Sequence, residues 1–353
     1  MRNELTNFLS TLPDIRGKRI YVWGTGNTTE LYQEGFARIP DFRIEAYIDN
    51  NPARQGKIMF GAPVLAPADV PQTDDMMILV CTGQPAAWAG ISKQISGMGL
   101  PFCFIDAGIF GLYKDEILTV FDALDDDRSR AVYLNVLMTR ADCRLPDEDI
   151  VCGDQYFAVP AFAGRNPSEV FLDCGAFVGD SVEQYLWKHE GVFGKIICFE
   201  PDTANFAAMQ YRMERLKREW NIPDSKLEMY PYAVGAEEET SVLSQNTANN
   251  GLGSKLVKAD GQTDGIICRT VPLTPYISEH SIIKADIESY EYQMLAGAAD
   301  AIRQYRPKIS VCIYHNAVDL VSIPMLLYRL NPQYRLRVRQ HAHQIAETVL
   351  YAY

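Results

Sequence analysis

Residues 167–189, PSEVFLDCGAFVGDSVEQYLWKH, read as a buried strand, a glycine-bearing turn and a helix in immediate succession. The apolar run 170–174 is short enough for a strand and ends in Asp173, after which Gly175, Ala176 and Gly179 shape the turn. Glycine lets a backbone turn tightly and approach a ligand closely. Amides at the start of the following helix suit polar or anionic groups. The next apolar strand, KIICFEPD at 195–202, ends in Glu200, twenty-five residues after Gly175. That is the length of one helix and one strand, so the acid falls at the tip of the neighbouring strand. A carboxylate placed there accepts hydrogen bonds from both ribose hydroxyls of a nucleotide-like cofactor.

The βα rhythm continues from this pair. An amphipathic helix runs through TANFAAMQYRMERLKREW, and KLEMYPYAVG reads as one third strand ending near Ala233 and Val234. SIIKADIES supplies a fourth strand with Asp286 at its tip and Glu288 just beyond, and PKISVCIYH a fifth that ends at His315. The tail departs from the pattern: YRLRVRQ and ETVLYAY, separated by a short polar gap, read as two adjoining strands. His341 and His343, in RQHAHQ, fall in that hairpin turn or on its rim. Residues 244–265 are polar and aperiodic, the character of a loop that covers a binding site, with Asn246, Asn250 and Lys255 as candidates for gripping a polar acceptor. Tyr290 and Tyr292 suit either an acceptor pocket or ordinary helix packing.

A second, weaker beginning lies at the N-terminus. KRIYVWGTGNTTELYQEGF gives a strand, Gly24 and Gly26, then a helix, and FRIEAYID gives a second strand closed by Asp49. Further strands are expected near 75–83 and 101–106, so the stretch reads as a small parallel α/β sheet. Its truncated glycine fingerprint fits a nucleotide or nucleotide-sugar site, a turn with no ligand, or, least well, nicotinamide chemistry. Residues 107–150 change to helical periodicity broken by the acidic patch at Asp125, Asp126 and Asp127. The expected organisation is a Rossmann-like domain at 1–115, a helical connector at 116–150 and a cofactor-binding domain at 151–353.

Composition bounds the function. The 353 residues carry a formal net charge of −12, which repels polyanions and argues against a nucleic-acid partner. No apolar run approaches the roughly 18 residues that span a bilayer, and no secretory leader is recognisable, so a cytoplasmic protein without membrane contact is expected. The eight cysteines are scattered, with no C-x-x-C pair, as in reduced intracellular chains.

The set FLDCGAFVGDS, FEPD, AVG, IKADIESYEYQMLAGA and ISVCIYH, in this order, resembles the FkbM-type methyltransferases across about residues 150–353. The resemblance implies a class I methyltransferase-type α/β fold with a seven-stranded mixed sheet, order 3-2-1-4-5-7-6 and the last strand antiparallel. It implies S-adenosylmethionine as cofactor and methyl transfer to a hydroxyl of a small molecule or sugar. Asp173, Gly175, Ala176 and Gly179 then correspond to the first cofactor motif, Glu200 to the ribose acid, and Ala233 and Val234 to the adenine side. Asp286 and Glu288 match the acids of the family's D-x-E-G motif, with Ser289 where glycine is usual. The N-terminal stretches VWGTG, YIDNNP and GAPVL resemble small Rossmann-like domains attached to sugar-modifying enzymes.

An alcohol acceptor must lose a proton, and His315 is the first choice of base, with Asp286 and Glu288 beside it in role. Asp286 also suits the methionyl ammonium. The same three side chains can ligate a divalent ion, but nothing in their spacing fixes a geometry, and no metal is assigned. A non-catalytic protein of the same fold and an NAD-dependent oxidoreductase stand as alternatives. The expected partner is a small-molecule or sugar-like acceptor, and a homodimer is allowed.

Overall fold

A computed structural model describes residues 1–83, 85–244 and 265–353, together with the backbone of 255–258. The chain divides into two compact units. The first comprises Met1–Val151, Tyr314–Ser322 and Ala342–Ala346; the second comprises Cys152–Ile313, Ile323–His341 and Glu347–Tyr353.

In the first unit, β1 (Arg19–Trp23), β2 (Ile44–Ile48), β3 (Ile58–Met59), β4 (Ala62–Leu65), β5 (Met76–Val80) and β6 (Phe102–Phe104) form one sheet. Its order is β3-β4-β2-β1-β5-β6, parallel except for the β3–β4 pair. Helices α1 (Arg2–Thr11), α2 (Asn27–Phe36), α3 (Pro85–Met98), α4 (Ile105–Leu112), α5 (Lys114–Ala123) and α6 (Asp127–Ala141) complete it. The acidic patch ends one helix and starts the next: the Asp126 carboxylate accepts the Ser129 amide at 2.7 Å and caps α6. Such a cap contributes about 1 kcal/mol. A buried polar knot joins the unit internally, with Arg140 donating to Asp106 Oδ2 at 2.7 Å and to the Tyr314 carbonyl at 2.7 Å.

Asp49 stands at the tip of β2, as the alternation of FRIEAYID demands. Its carboxylate accepts the Thr25 amide at 3.1 Å, the Asn51 amide at 2.8 Å and Arg54 Nη1 at 3.2 Å. Gly24 has φ +113°, and a Cβ there would fall 2.5 Å from the Cys81 carbonyl oxygen. The glycine therefore permits the close passage of two strand ends.

The second unit is built on β7 (Val170–Cys174), β8 (Lys195–Phe199), β9 (Leu227–Tyr230), β14 (Ser281–Ala285), β15 (Lys308–Cys312), β16 (Leu336–Gln340) and β17 (Thr348–Ala352). Their order is β16-β17-β15-β14-β7-β8-β9, and only β17 runs against its neighbours. This is the order 3-2-1-4-5-7-6 expected for a class I methyltransferase sheet. Helices α7 (Asp180–Lys188), α8 (Thr203–Trp220), α9 (Glu291–Gly297), α10 (Ala299–Tyr305) and α11 (Asp319–Leu330) accompany it. The central strands are apolar along nearly their whole length because helices cover both faces of a parallel sheet. Phe171, Leu172, Ile196, Phe199, Ile282, Ile309 and Val311 are fully buried. Each such side chain contributes roughly 1.5–3 kcal/mol.

Two features depart from the sequence reading. KLEMYPYAVG is two strands rather than one. β9 stays in the central sheet, while β10 (Tyr232–Gly235) joins a separate four-stranded sheet. The break falls at Pro231, whose ring nitrogen has no hydrogen to continue the ladder. The stretch read as a loop at 244–265 contains a strand of that sheet, β12 (Lys255–Lys258), which with β11 (Glu239–Ser244) and β13 (Ile266–Pro272) gives the order β10-β13-β11-β12. Asn246 and Asn250 lie outside the described residues, and of Lys255 only the strand backbone is described.

Candidate active site

The tips of β7, β8 and β14 are stitched together by backbone hydrogen bonds. The amides of Gly175 and Ala176 both donate to the Phe199 carbonyl at 3.0 Å, and the Asp286 amide donates to the Cys174 carbonyl at 3.1 Å. Gly175 has φ +75°, and a Cβ on it would lie 1.9 Å from the Asp286 carbonyl oxygen. Only glycine fits, because the turn after β7 lies directly against the turn after β14.

Above these tips opens a cavity of about 280 Å³. Gly175, Phe177, Glu200, Ala233, Val234, Asp286 and Glu288 are among the residues that line it. Phe199 and Tyr232 add apolar and aromatic surface, and Gln155, Tyr156 and Glu347 add polar surface. Glu200 is buried. Its Oε2 accepts the Phe177 amide at 2.9 Å and its Oε1 the Asp202 amide at 2.9 Å. Phe177 takes φ +48° to deliver that amide. Burial pushes the Glu200 carboxyl up to about 7, although both amides favour its ionised form. Each carboxylate oxygen retains acceptor capacity after one amide bond, as a pair of ribose hydroxyls requires. Asp202 also caps α8, accepting the amides of Ala204 at 2.9 Å and Asn205 at 3.0 Å.

Asp173, Ala176, Gly179 and His315 are not among the described residues that line the cavity. Asp173 is fully buried beneath it, with Oδ1 3.1 Å from Lys284 Nζ and Oδ2 accepting the Ser181 hydroxyl. Lys284 in turn donates to the Gly175 carbonyl at 2.6 Å. Burial works against the Lys284 ammonium, but the charges of Asp173 and Asp286 outweigh it and hold the lysine protonated. Gly179 has φ +79° at the start of α7, where a Cβ would come 2.3 Å from Met213 Cε. Ala176 is buried beside it. His315 is buried in the segment that groups with the first unit, its ring 4.2 Å from that of Tyr314, and is not among the described lining residues.

The turn after β14 is unusual. Glu288 and Ser289 are consecutive residues at φ +56° and +78°. Ser289 therefore keeps the left-handed conformation that glycine supplies at this point of the family motif. Glu291 Oε1 accepts the Ile287 amide at 2.7 Å and locks the turn onto α9. Tyr290 lines the cavity, whereas Tyr292 is not among the described lining residues. His341 is fixed elsewhere, with Nδ1 3.0 Å from the Cys152 carbonyl and Nε2 2.9 Å from the Tyr351 hydroxyl.

Sequence reasoning missed Lys284, Tyr156, Gln155 and Glu347. A lysine within the apolar run SIIKA was a readable signal, since a buried ammonium needs a partner. No spacing marked the other three, which come from the segment before β7 and the turn before β17.

Residues 173–336 match the family described as Methyltransferase FkbM domain. No curated protein sequence matches the chain. Among solved structures, the chain is similar to methyltransferase FkbM from Methylobacillus flagellatus KT, at 19% identity and a TM-score of 0.58, over 99% of this chain and 93% of that one. That similarity establishes a shared fold across both units. More distant are a precorrin-6y C5,15-methyltransferase from Geobacter metallireducens GS-15 (12% identity, 59% of this chain, 96% of that one, TM-score 0.30) and a fibrillarin from Aeropyrum pernix (8%, 54%, 67%, 0.31). The sheet order, the closed glycine turn and the family match agree. Residues 173–336 carry an FkbM-type methyltransferase domain, and the protein is an S-adenosylmethionine-dependent methyltransferase.

Proposed function

We propose that the protein methylates a hydroxyl oxygen of a small, polyhydroxylated acceptor such as a sugar or glycoconjugate. The observation that carries this reading is the polar wall of the cavity. Asp286, Glu288, Glu347, Gln155 and Tyr156 converge there, all side chains that accept or exchange hydrogen bonds with hydroxyl groups. The resemblance of the first unit's VWGTG and YIDNNP stretches to domains of sugar-modifying enzymes points the same way.

The residues present suit a ribosyl, sulfonium-bearing cofactor. Glu200 offers two acceptor oxygens held by backbone amides, Gly175 brings bare backbone to the cavity wall, and Ala233 and Val234 supply an apolar edge. S-adenosylmethionine, when bound, supplies a methyl carbon already activated by a cationic sulfur. The chain's task is then to position the acceptor and receive its proton. Asp286 takes that proton in this reading, because its carboxylate lines the cavity at a strand tip, where open parallel sheets place ligands. Glu288 and Glu347 hold neighbouring hydroxyls and so orient the reacting one. None of the eight cysteines forms a disulfide among the described residues. No helix among the described residues is long and apolar enough to cross a membrane.

The test is incubation with S-adenosylmethionine labelled in its methyl group and a panel of sugars and glycoconjugates. Label in an alkali-stable methyl ether supports the reading. Label in an alkali-labile ester or on nitrogen overturns it.

A further inference from the structure

Tyr156 lies outside the segment that matches the family, in the stretch leading to β7, yet it lines the cavity. Its hydroxyl donates to Asp286 Oδ2 at 2.8 Å. Gln155 Nε2 donates to the same hydroxyl at 3.1 Å and also to Glu347 Oε2. The Tyr156 ring carries the Lys284 ammonium 5.1 Å from its centroid, within the range of a cation–π contact. Lys284 is the residue that also holds Asp173 and the Gly175 carbonyl. One tyrosine thus touches both the anchor of the glycine turn and the strand-tip acid.

The backbone there is strained. Asp154 and Tyr156 take φ +59° and +68°. A left-handed conformation in a bulky residue costs roughly 1–2 kcal/mol. Such strain persists only where surrounding contacts over-determine it, and it gathers at functional sites. Tyr156 is nonetheless buried, at 8% exposure, with its hydroxyl also 3.8 Å from Cys312 Sγ.

We propose that Tyr156 is a positioning residue for methyl transfer, whose hydroxyl, braced by Gln155, fixes the Asp286 carboxylate toward the acceptor. This rests on the reading of Asp286 as proton acceptor. The hydrogen bond holds Asp286 Oδ2 and so restricts rotation of the carboxylate. Glu291 and the Lys284 ammonium are among the charged groups near Asp286, and Tyr156→Phe keeps the side chains of both.

The experiment follows Asp286 directly in the full-length protein labelled with 13C at the aspartate carboxyl carbons, with Asp286→Asn assigning the resonance. In Tyr156→Phe the ring and its contact with Lys284 remain, while a hydrogen bond to the charged form is lost. The Asp286 titration midpoint should rise by about one pH unit. S-adenosylhomocysteine affinity should stay within about twofold, because the glycine turn and Glu200 are untouched. Gln155→Leu should shift the midpoint the same way by less, and it serves as the second variant if Tyr156→Phe does not fold. A structural role alone would lower the unfolding temperature and leave the midpoint in place, and that result would overturn the proposal. Methyl transfer undiminished in Asp286→Asn would instead sink the reading of Asp286 as base, a separate outcome from a Tyr156 titration that fails to move.

Discussion

Lys284 Nζ stands 3.1 Å from Asp173 Oδ1, and the same nitrogen reaches the Gly175 carbonyl at 2.6 Å. Both side chains are almost wholly removed from solvent. Asp173 is therefore paired with a lysine on the adjacent strand that also holds the glycine turn.

Removing one partner leaves the other charged and buried. Lys284→Met should destabilise the fold by about 3–5 kcal/mol in urea unfolding. Replacing both, as Asp173→Leu with Lys284→Met, should recover most of that loss. A single variant that costs under about 1 kcal/mol would show the pair to be incidental.

Glu200 makes stability depend on pH with a definite sign. Its carboxyl is raised in the folded state, from 4.5 to about 7, so the folded chain holds that proton more tightly than the unfolded chain. The group's stabilising effect is complete below about 4.5 and is lost as pH rises to about 7, a change on the order of 3 kcal/mol. Glu200→Gln should flatten the unfolding free energy across that window. An unchanged pH slope in the variant would contradict the assignment. Hydroxyl donors from a bound ribose favour the carboxylate, so S-adenosylhomocysteine affinity should strengthen as pH rises through 7.

Ser289 tests the turn after β14. At φ +78° a β-branched residue meets the full steric penalty of the left-handed region. Ser289→Val should lower stability by about 1–2 kcal/mol, measured by chemical denaturation. A neutral result would mean that the turn relaxes out of the left-handed region at little cost.

The central sheet was legible because its signals are local. Apolar runs of strand length, glycine at the turns and acids at the tips recur with βα spacing, and the hairpin tail breaks that spacing. Pro231 was visible, but reading KLEMYPYAVG as one strand ignored the donor that proline lacks. β11 and β13 flank a polar stretch and pair with each other across it, a non-local event that no window of sequence displays. Part of the cavity lining was legible in Gly175, Glu200 and Asp286, each marked by its place in a strand–turn–helix unit. The rest was not. Gln155 and Tyr156 reach it through an irregular stretch, and Glu347 through a hairpin turn, where no period fixes a direction. Asp173 is buried and paired with Lys284, an arrangement that its place at a strand end does not announce.

The most direct measurement is calorimetric titration of the protein with S-adenosylmethionine, S-adenosylhomocysteine and NAD, repeated with Glu200→Ala. Micromolar binding of the methyl donor or its product, lost in Glu200→Ala and absent for NAD, is the predicted result. Binding of NAD with no response to either methionine cofactor, or donor binding that Glu200→Ala leaves intact, would contradict the account.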